Sequence, residues 1–163
     1  MNLNAFSVLA LLALFAGFAG VFVVNATAQD DSQRAVVQAP FATAFGAPGA
    51  FSEIGAINSF LFVLLFSLLF FGIAAPLALG FEGARYAALF SSGHLNFFDI
   101  AFLVPEVLAA VSATVIGKGI IDDYRGNKSV FESWDEAIRW LALGAAVLVV
   151  LLVLRPHLAG FFS

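Results

Sequence analysis

Cysteine is absent from this 163-residue chain, and only 11% of its residues are charged. Without cysteine there can be no disulfide framework, no thiolate metal site and no cysteine nucleophile. Histidine is nearly absent too: His94 and His157 each lack a second histidine or a carboxylate at ligand spacing, so no metal site is expected. Basic residues number seven against eleven acidic ones, a net charge of -4, and no basic stripe exists to neutralise phosphates. Nucleic acid is therefore not an expected partner. Also missing are a phosphate-cradling glycine loop, a nucleophile elbow, a zinc helix motif and a serine, histidine and acid set. No enzymatic activity and no cofactor are expected.

What the chain has in abundance is apolar surface, 62% of its residues being hydrophobic with a mean hydropathy of +1.01. No single soluble core of this length could hide that much. The composition predicts one integral membrane domain over residues 1–163, all-α and polytopic, with the lipid bilayer as its surroundings and a multi-pass place in the cell membrane. About four transmembrane helices are expected, near residues 5–25, 54–81, 98–118 and 137–155. Each is close to the ~20 apolar residues a spanning helix requires.

The first of these follows an uncharged N-terminal stretch. The run Asn25-Ala26-Thr27-Ala28-Gln29 resembles a small-residue cleavage site, but a basic n-region is missing, so a retained helix is expected. Residues 30–53 read as a loop with a short interfacial helix, with Pro40 and Pro48 as breakers and Phe41, Phe45 and Phe51 along one face. The second span, 54–81, is uncharged and is expected to bend at Pro76. Residues 82–99 then read as a polar connection. The third span is kinked at Pro105, whose ring removes a donor and clashes with the carbonyl of Ala101.

Residues 118–139 hold four of the seven basic and five of the eleven acidic residues and belong in water. Ser133 and Glu136 have capping-box spacing and predict the start of the last helix, with Trp134 and Trp140 near the interface. Four spans put Arg34, Lys118, Arg125, Lys128 and Arg139 on one side, and Arg85 and Arg155 on the other. The positive-inside rule then places both termini outside, whereas the signal-like first helix points the other way.

Two sets of residues stand out as candidates. Gly72, Pro76 and Gly80 in the second span, and Ala109, Ala113 and Gly117 in the third, are small or breaking residues at four-residue spacing. That pattern lets helix backbones approach closely, within the chain or between copies. The other set is polar. Glu106 is the only charge in residues 100–117, and Asp99, two turns earlier, would share its face. Burial disfavours an isolated carboxylate, so three readings are open for it. Glu106 satisfies backbone carbonyls freed by Pro105 or pairs with Arg85; it handles a proton or cation together with Asp99; or it contacts a partner.

The segment 58–123 resembles the stage II sporulation protein M family, small multi-span membrane proteins of bacteria and archaea. The resemblance rests on Asn58 early in a span, Gly72 and Pro76, a turn at Gly80 to Gly83, and a Pro105-led helix of small residues ending at Gly117. It covers about two fifths of the chain. The family typically shows a proline, histidine, glycine run with a glutamate a few residues on. Here Glu106 and Val107 follow Pro105, and the downstream position is Ala110. The resemblance implies a membrane scaffold or complex subunit, which in spore-forming bacteria serves a cell-wall remodelling machine during engulfment. A small transporter or permease subunit using Glu106 is the alternative that the residues themselves leave open.

Overall fold

The structure is a computed structural model, described for residues 5–27, 52–91, 93, 95, 97–126 and 129–158. It is all-α, with no strand among the described residues. Among the described residues are five α-helices, α1 (Ala5–Thr27), α2 (Glu53–Leu69), α3 (Ala75–Ser91), α4 (Leu103–Tyr124) and α5 (Val130–Leu158), with a 3-10 helix over Phe97–Phe102 ahead of α4. Two stretches, Phe98–Tyr124 and Phe131–His157, are long and apolar enough to cross a membrane. The expected interfacial helix in residues 30–53 falls almost entirely outside the described residues.

The expected single helix over 54–81 is instead two helices. After Leu69 the chain turns through residues 70–74, with Phe71 at φ 52° and Gly72 at φ 77°, and re-enters a helix at Ala75. Pro76 therefore starts a helix rather than bending one. In the first turn its missing N–H has no bond to make. The break is held against α4. A Cβ built on Gly117 would lie 1.6 Å from Phe71 O, and one on Gly72 would lie 2.6 Å from both Ala113 O and Thr114 Cα. The small-residue stripe of α4 thus receives a turn of backbone, not another helix.

The turn makes α2 and α3 a hairpin. The rings of Phe62 and Phe81, on opposite arms, stand 5.9 Å apart between centroids. On its other side α3 packs against α1 through glycine. A Cβ on Gly17 would lie 2.0 Å from Gly80 O and 3.2 Å from Ala84 N, and one on Gly83 would lie 2.2 Å from Leu14 O. Ala13 faces Gly80 while Gly17 reaches on to Ala84, so the two helices advance together and run parallel. Such contact needs residues without side chains.

Pro105 is the third residue of α4 and is buried. Because residues 97–102 are wound as a 3-10 helix, no α-helical bond from residue 105 to Ala101 is required. The expected kink is replaced by a change of helix type at Leu103. The start of α5 also lies earlier than Ser133. Ser129 Oγ accepts from Phe131 N at 3.3 Å, and Glu132 stands three residues on, the same capping-box spacing used one turn upstream. Along the α4–α5 contact, Ser112 Oγ donates to Ala137 O at 2.8 Å and Gly144 faces Pro105 O, so this pair is antiparallel. Helices α1, α3 and α5 run one way, α2 and α4 the other.

Candidate functional site

A buried polar cluster occupies the space between α2, α3 and α4. Residues 82–99, expected to form a connection, are helical as far as Ser91, and this carries two charges to the middle of α3. Glu82, Arg85 and Tyr86, at i, i+3 and i+4, share one face. Arg85 Nε donates to Glu82 Oε2 at 2.7 Å, and its guanidinium carbon lies 5.0 Å from the centre of the Tyr86 ring. Tyr86 OH in turn donates to Glu106 Oε1 at 3.1 Å, tying α3 to the first turn of α4.

Every member is withdrawn from solvent: Glu82, Tyr86 and Glu106 are 0% exposed and Arg85 7%. Ser59 of α2, also buried, stands beside Glu82. The ion pair explains how α3 tolerates this placement. Two opposite charges one turn apart neutralise each other before the helix is buried, and the Tyr86 ring covers the guanidinium. Oxygen capacity is left over all the same. Glu82 Oε1 and Glu106 Oε2 are buried and have no hydrogen-bond partner by distance and angle among the described residues, while the Ser59 hydroxyl is close enough to interact with the Glu82 carboxyl.

Of the three polar candidates in the sequence, Glu106 and Arg85 come together and Asp99 does not. Asp99 lies in the 3-10 helix, where Arg155 Nε of α5 donates to its Oδ1 at 2.9 Å. The 3-10 winding rotates it away from the face that an unbroken α-helix would have given it. Arg155 also reaches Glu53, 3.8 Å away, at the start of α2. The two carboxylates thus serve separate clusters, one inside the bundle and one at the end where α2 begins and α5 finishes.

Among the packing candidates, Gly72 and Gly117 meet at the turn, and Gly80 packs on α1. Ala109 and Ala113 are fully buried in α4, and Pro76 is half-buried in the first turn of α3.

Sequence reasoning missed Glu82, Tyr86 and Ser59. The signal for the first two was present, since Glu82 and Arg85 sit at ion-pair spacing among Phe81, Ala84, Ala87, Ala88 and Leu89, a run that stays apolar apart from a charge pair able to cancel itself. Ser59 carries no such signal.

The cluster can hold three helices in register, and its spare oxygens can accept a positive charge. Among the described residues no three His, Cys, Asp or Glu side chains group as metal ligands. Compared with protein-family models, curated proteins and solved structures, the chain matches none.

Proposed function

We propose that this chain is a multi-pass integral membrane protein that works without catalysis, as a scaffold or subunit of a membrane complex. One observation carries the reading: Glu106 is locked to Tyr86 beside the Arg85–Glu82 pair, inside helix packing. The resemblance of residues 58–123 to the stage II sporulation protein M family points the same way, toward assembly with other membrane proteins or with copies of itself.

Five alternating segments also give this protein a consistent orientation. In addition to the two long spans, α1 has 23 residues and α2 and α3 have 17 each, the lower limit for crossing. Because α1 parallels α3, it starts at the end of the bundle where α4 finishes and α5 begins. Lys118, Arg125, Lys128 and Arg139 belong to that end by sequence, against Arg34 and Arg155 at the other. Arg85 leaves the count, since it lies inside. The positive-inside rule then puts the start of α1 in the cytoplasm, in agreement with its signal-like character. With five segments in place of four, the conflict between the positive-inside rule and the signal-like first helix does not arise.

The test of the scaffold reading is purification of the chain from native membranes in mild detergent. A stoichiometric partner, or a defined oligomer, that is lost when Leu143 and Val150 on the outer face of α5 are replaced by Ala supports it. A chain recovered alone and monomeric under conditions that preserve other membrane complexes would overturn it. Orientation is tested separately by single cysteines placed at Asn2 and Gly126. Both are expected to resist an impermeant maleimide in intact cells.

The spare buried oxygens of Glu82 and Glu106 favour one second reading, a subunit in which the cluster carries ions. Proton or solute flux in reconstituted vesicles, abolished by Glu106→Gln, would support it, and unchanged flux would remove it.

A further inference from the structure

We infer that the turn between α2 and α3 stays inside the lipid layer, and that it and the grooves beside it hold lipid acyl chains. The inference deepens the multi-pass reading proposed above and rests on it. Residues 68–81 contain no polar side chain, and Leu69, Phe71, Ile73 and Leu77 are each more than half exposed. Turns that meet water favour Asn, Asp and Ser, whereas this one offers only hydrocarbon and phenyl surface. Two grooves open on it. One, of about 680 Å³, runs along α2 over Phe62, Leu65, Phe66 and Leu69. The other, of about 360 Å³, continues from Phe66 and Leu69 across Phe71 and Ile73 to Leu77 of α3. All the residues that line them are apolar. A peptide lying there would leave its backbone groups unpaired, at a cost that a hydrocarbon chain does not incur.

The backbone suits the same surroundings. Irregular backbone survives at membrane depth only where its polar groups are paired or covered by protein. Phe71 N donates to Leu68 O at 3.0 Å, Gly72 N to Ser67 O at 2.7 Å, Ile73 N to Phe70 O at 3.0 Å and Ala75 N to Gly72 O at 3.2 Å. These donors need no water. Phe71 O and Gly72 are seated against Gly117 and Thr114 of α4. Depth agrees with the pairing. Arg155 gathers Asp99 and Glu53 at one end of the bundle, and from Glu53 α2 advances about 25 Å to Leu69. With that ionic end at the membrane surface, a hydrocarbon core ~30 Å thick reaches past the turn. Helix α4 continues from Gly117, where the turn rests, to Tyr124, about 10 Å further. It carries the exposed Lys118, Asp123 and Tyr124 toward water.

The chain has no cysteine, so single cysteines can report the surroundings of each position. Ile73→Cys, Leu77→Cys, Val150→Cys and Tyr124→Cys, each in the full chain, are labelled with bimane and placed in phosphatidylcholine nanodiscs, whose two faces are both open to iodide. The acyl chains are either plain or brominated. Labels at 73 and 77 are expected to lose fluorescence to the brominated chains as the label at 150 does, on the outer face of α5. They are expected to ignore iodide, which quenches the label at 124. Two positions keep the test intact if one variant fails to fold. Iodide quenching at 73 and 77, with quenching by brominated lipid kept at 150, overturns this inference and leaves the multi-pass reading standing. Protection of 73 and 77 from both quenchers also overturns it, because protein, such as a second copy of the chain, then covers the turn. Iodide quenching at 150 as well removes the multi-pass reading, and this inference with it.

Discussion

The two long apolar stretches invite comparison because hydropathy barely separates them, with means of 2.0 for Phe98–Tyr124 and 2.5 for Phe131–His157. Their surroundings are opposite. The most apolar window of the first is 61% buried inside the bundle, that of the second only 17%. Side-chain size makes the difference. Helix α4 buries Ala109, Ala110, Ser112, Ala113, Thr114, Gly117 and Gly119, while α5 exposes Leu143, Val149, Val150 and Val153. In lipid, burial of apolar surface does not by itself drive helices together, so small residues that permit close backbone contact decide which helix goes inside. Large aliphatic side chains serve equally well against lipid.

Substitutions at these positions would test the contrast. The largest effect is expected from Gly117→Leu, since a side chain there meets the Phe71 carbonyl at a distance no rearrangement of side chains can relieve. Loss of the monodisperse folded species in detergent chromatography is the expected result, and recovery of a stable protein would show that the turn at residues 70–74 is not seated on α4. Next comes Arg85→Met, which leaves two carboxyls facing each other without their cation. Breaking a buried pair on one side costs about 3–5 kcal/mol, read as a large fall in thermal stability that the double change with Glu82→Gln partly restores. If the single and double variants are equally unstable, the pair does not hold α3 in place.

Tyr86→Phe is expected to cost about 1–3 kcal/mol, because it strips the buried Glu106 Oε1 of its donor. Stability equal to wild type would place the hold on Glu106 elsewhere. The smallest effect is expected on the outer span, where Val150→Leu should fall within about 0.5 kcal/mol. A large loss there would mean that α5 is covered by protein, and would bear directly on the scaffold reading.

Much of this arrangement was legible beforehand. The all-α class follows from composition, and Gly117, the last of the stripe at Ala109, Ala113 and Gly117, lies against the backbone of Phe71 and Gly72. What was hidden is the turn at Phe71 and Gly72. An uninterrupted apolar run from Ile54 to Phe81 carries no polar punctuation, and Gly72 looks the same in sequence whether it lies in a helix or at positive φ. That one omission left Glu82 and Arg85 in an expected connection, and on the five-segment reading proposed above it is what set the positive-inside rule against the signal-like first helix. Glu106 could be singled out as the one charge inside an expected span, and Arg85 as a base able to pair with it from an expected connection. Asp99 was misassigned to their face because helical spacing was assumed across a 3-10 segment.

On the multi-pass reading proposed above, the pairing within α3 also bears on how the chain would enter a membrane. An arginine or an acidic residue near the centre of a spanning helix opposes insertion by about 2.5–3.5 kcal/mol each. Helix α3 carries one of each, among several alanines and glycines that add little driving force. Alone it is a poor candidate for lateral release into lipid, whereas α2, ahead of it in the chain, has no charge beyond Glu53 at its start. The close turn between them means the hairpin can enter as one unit, with α2 supplying the partition energy that α3 lacks. Synthesis order then delivers Glu106 last, so the Tyr86 contact closes only after α4 has emerged.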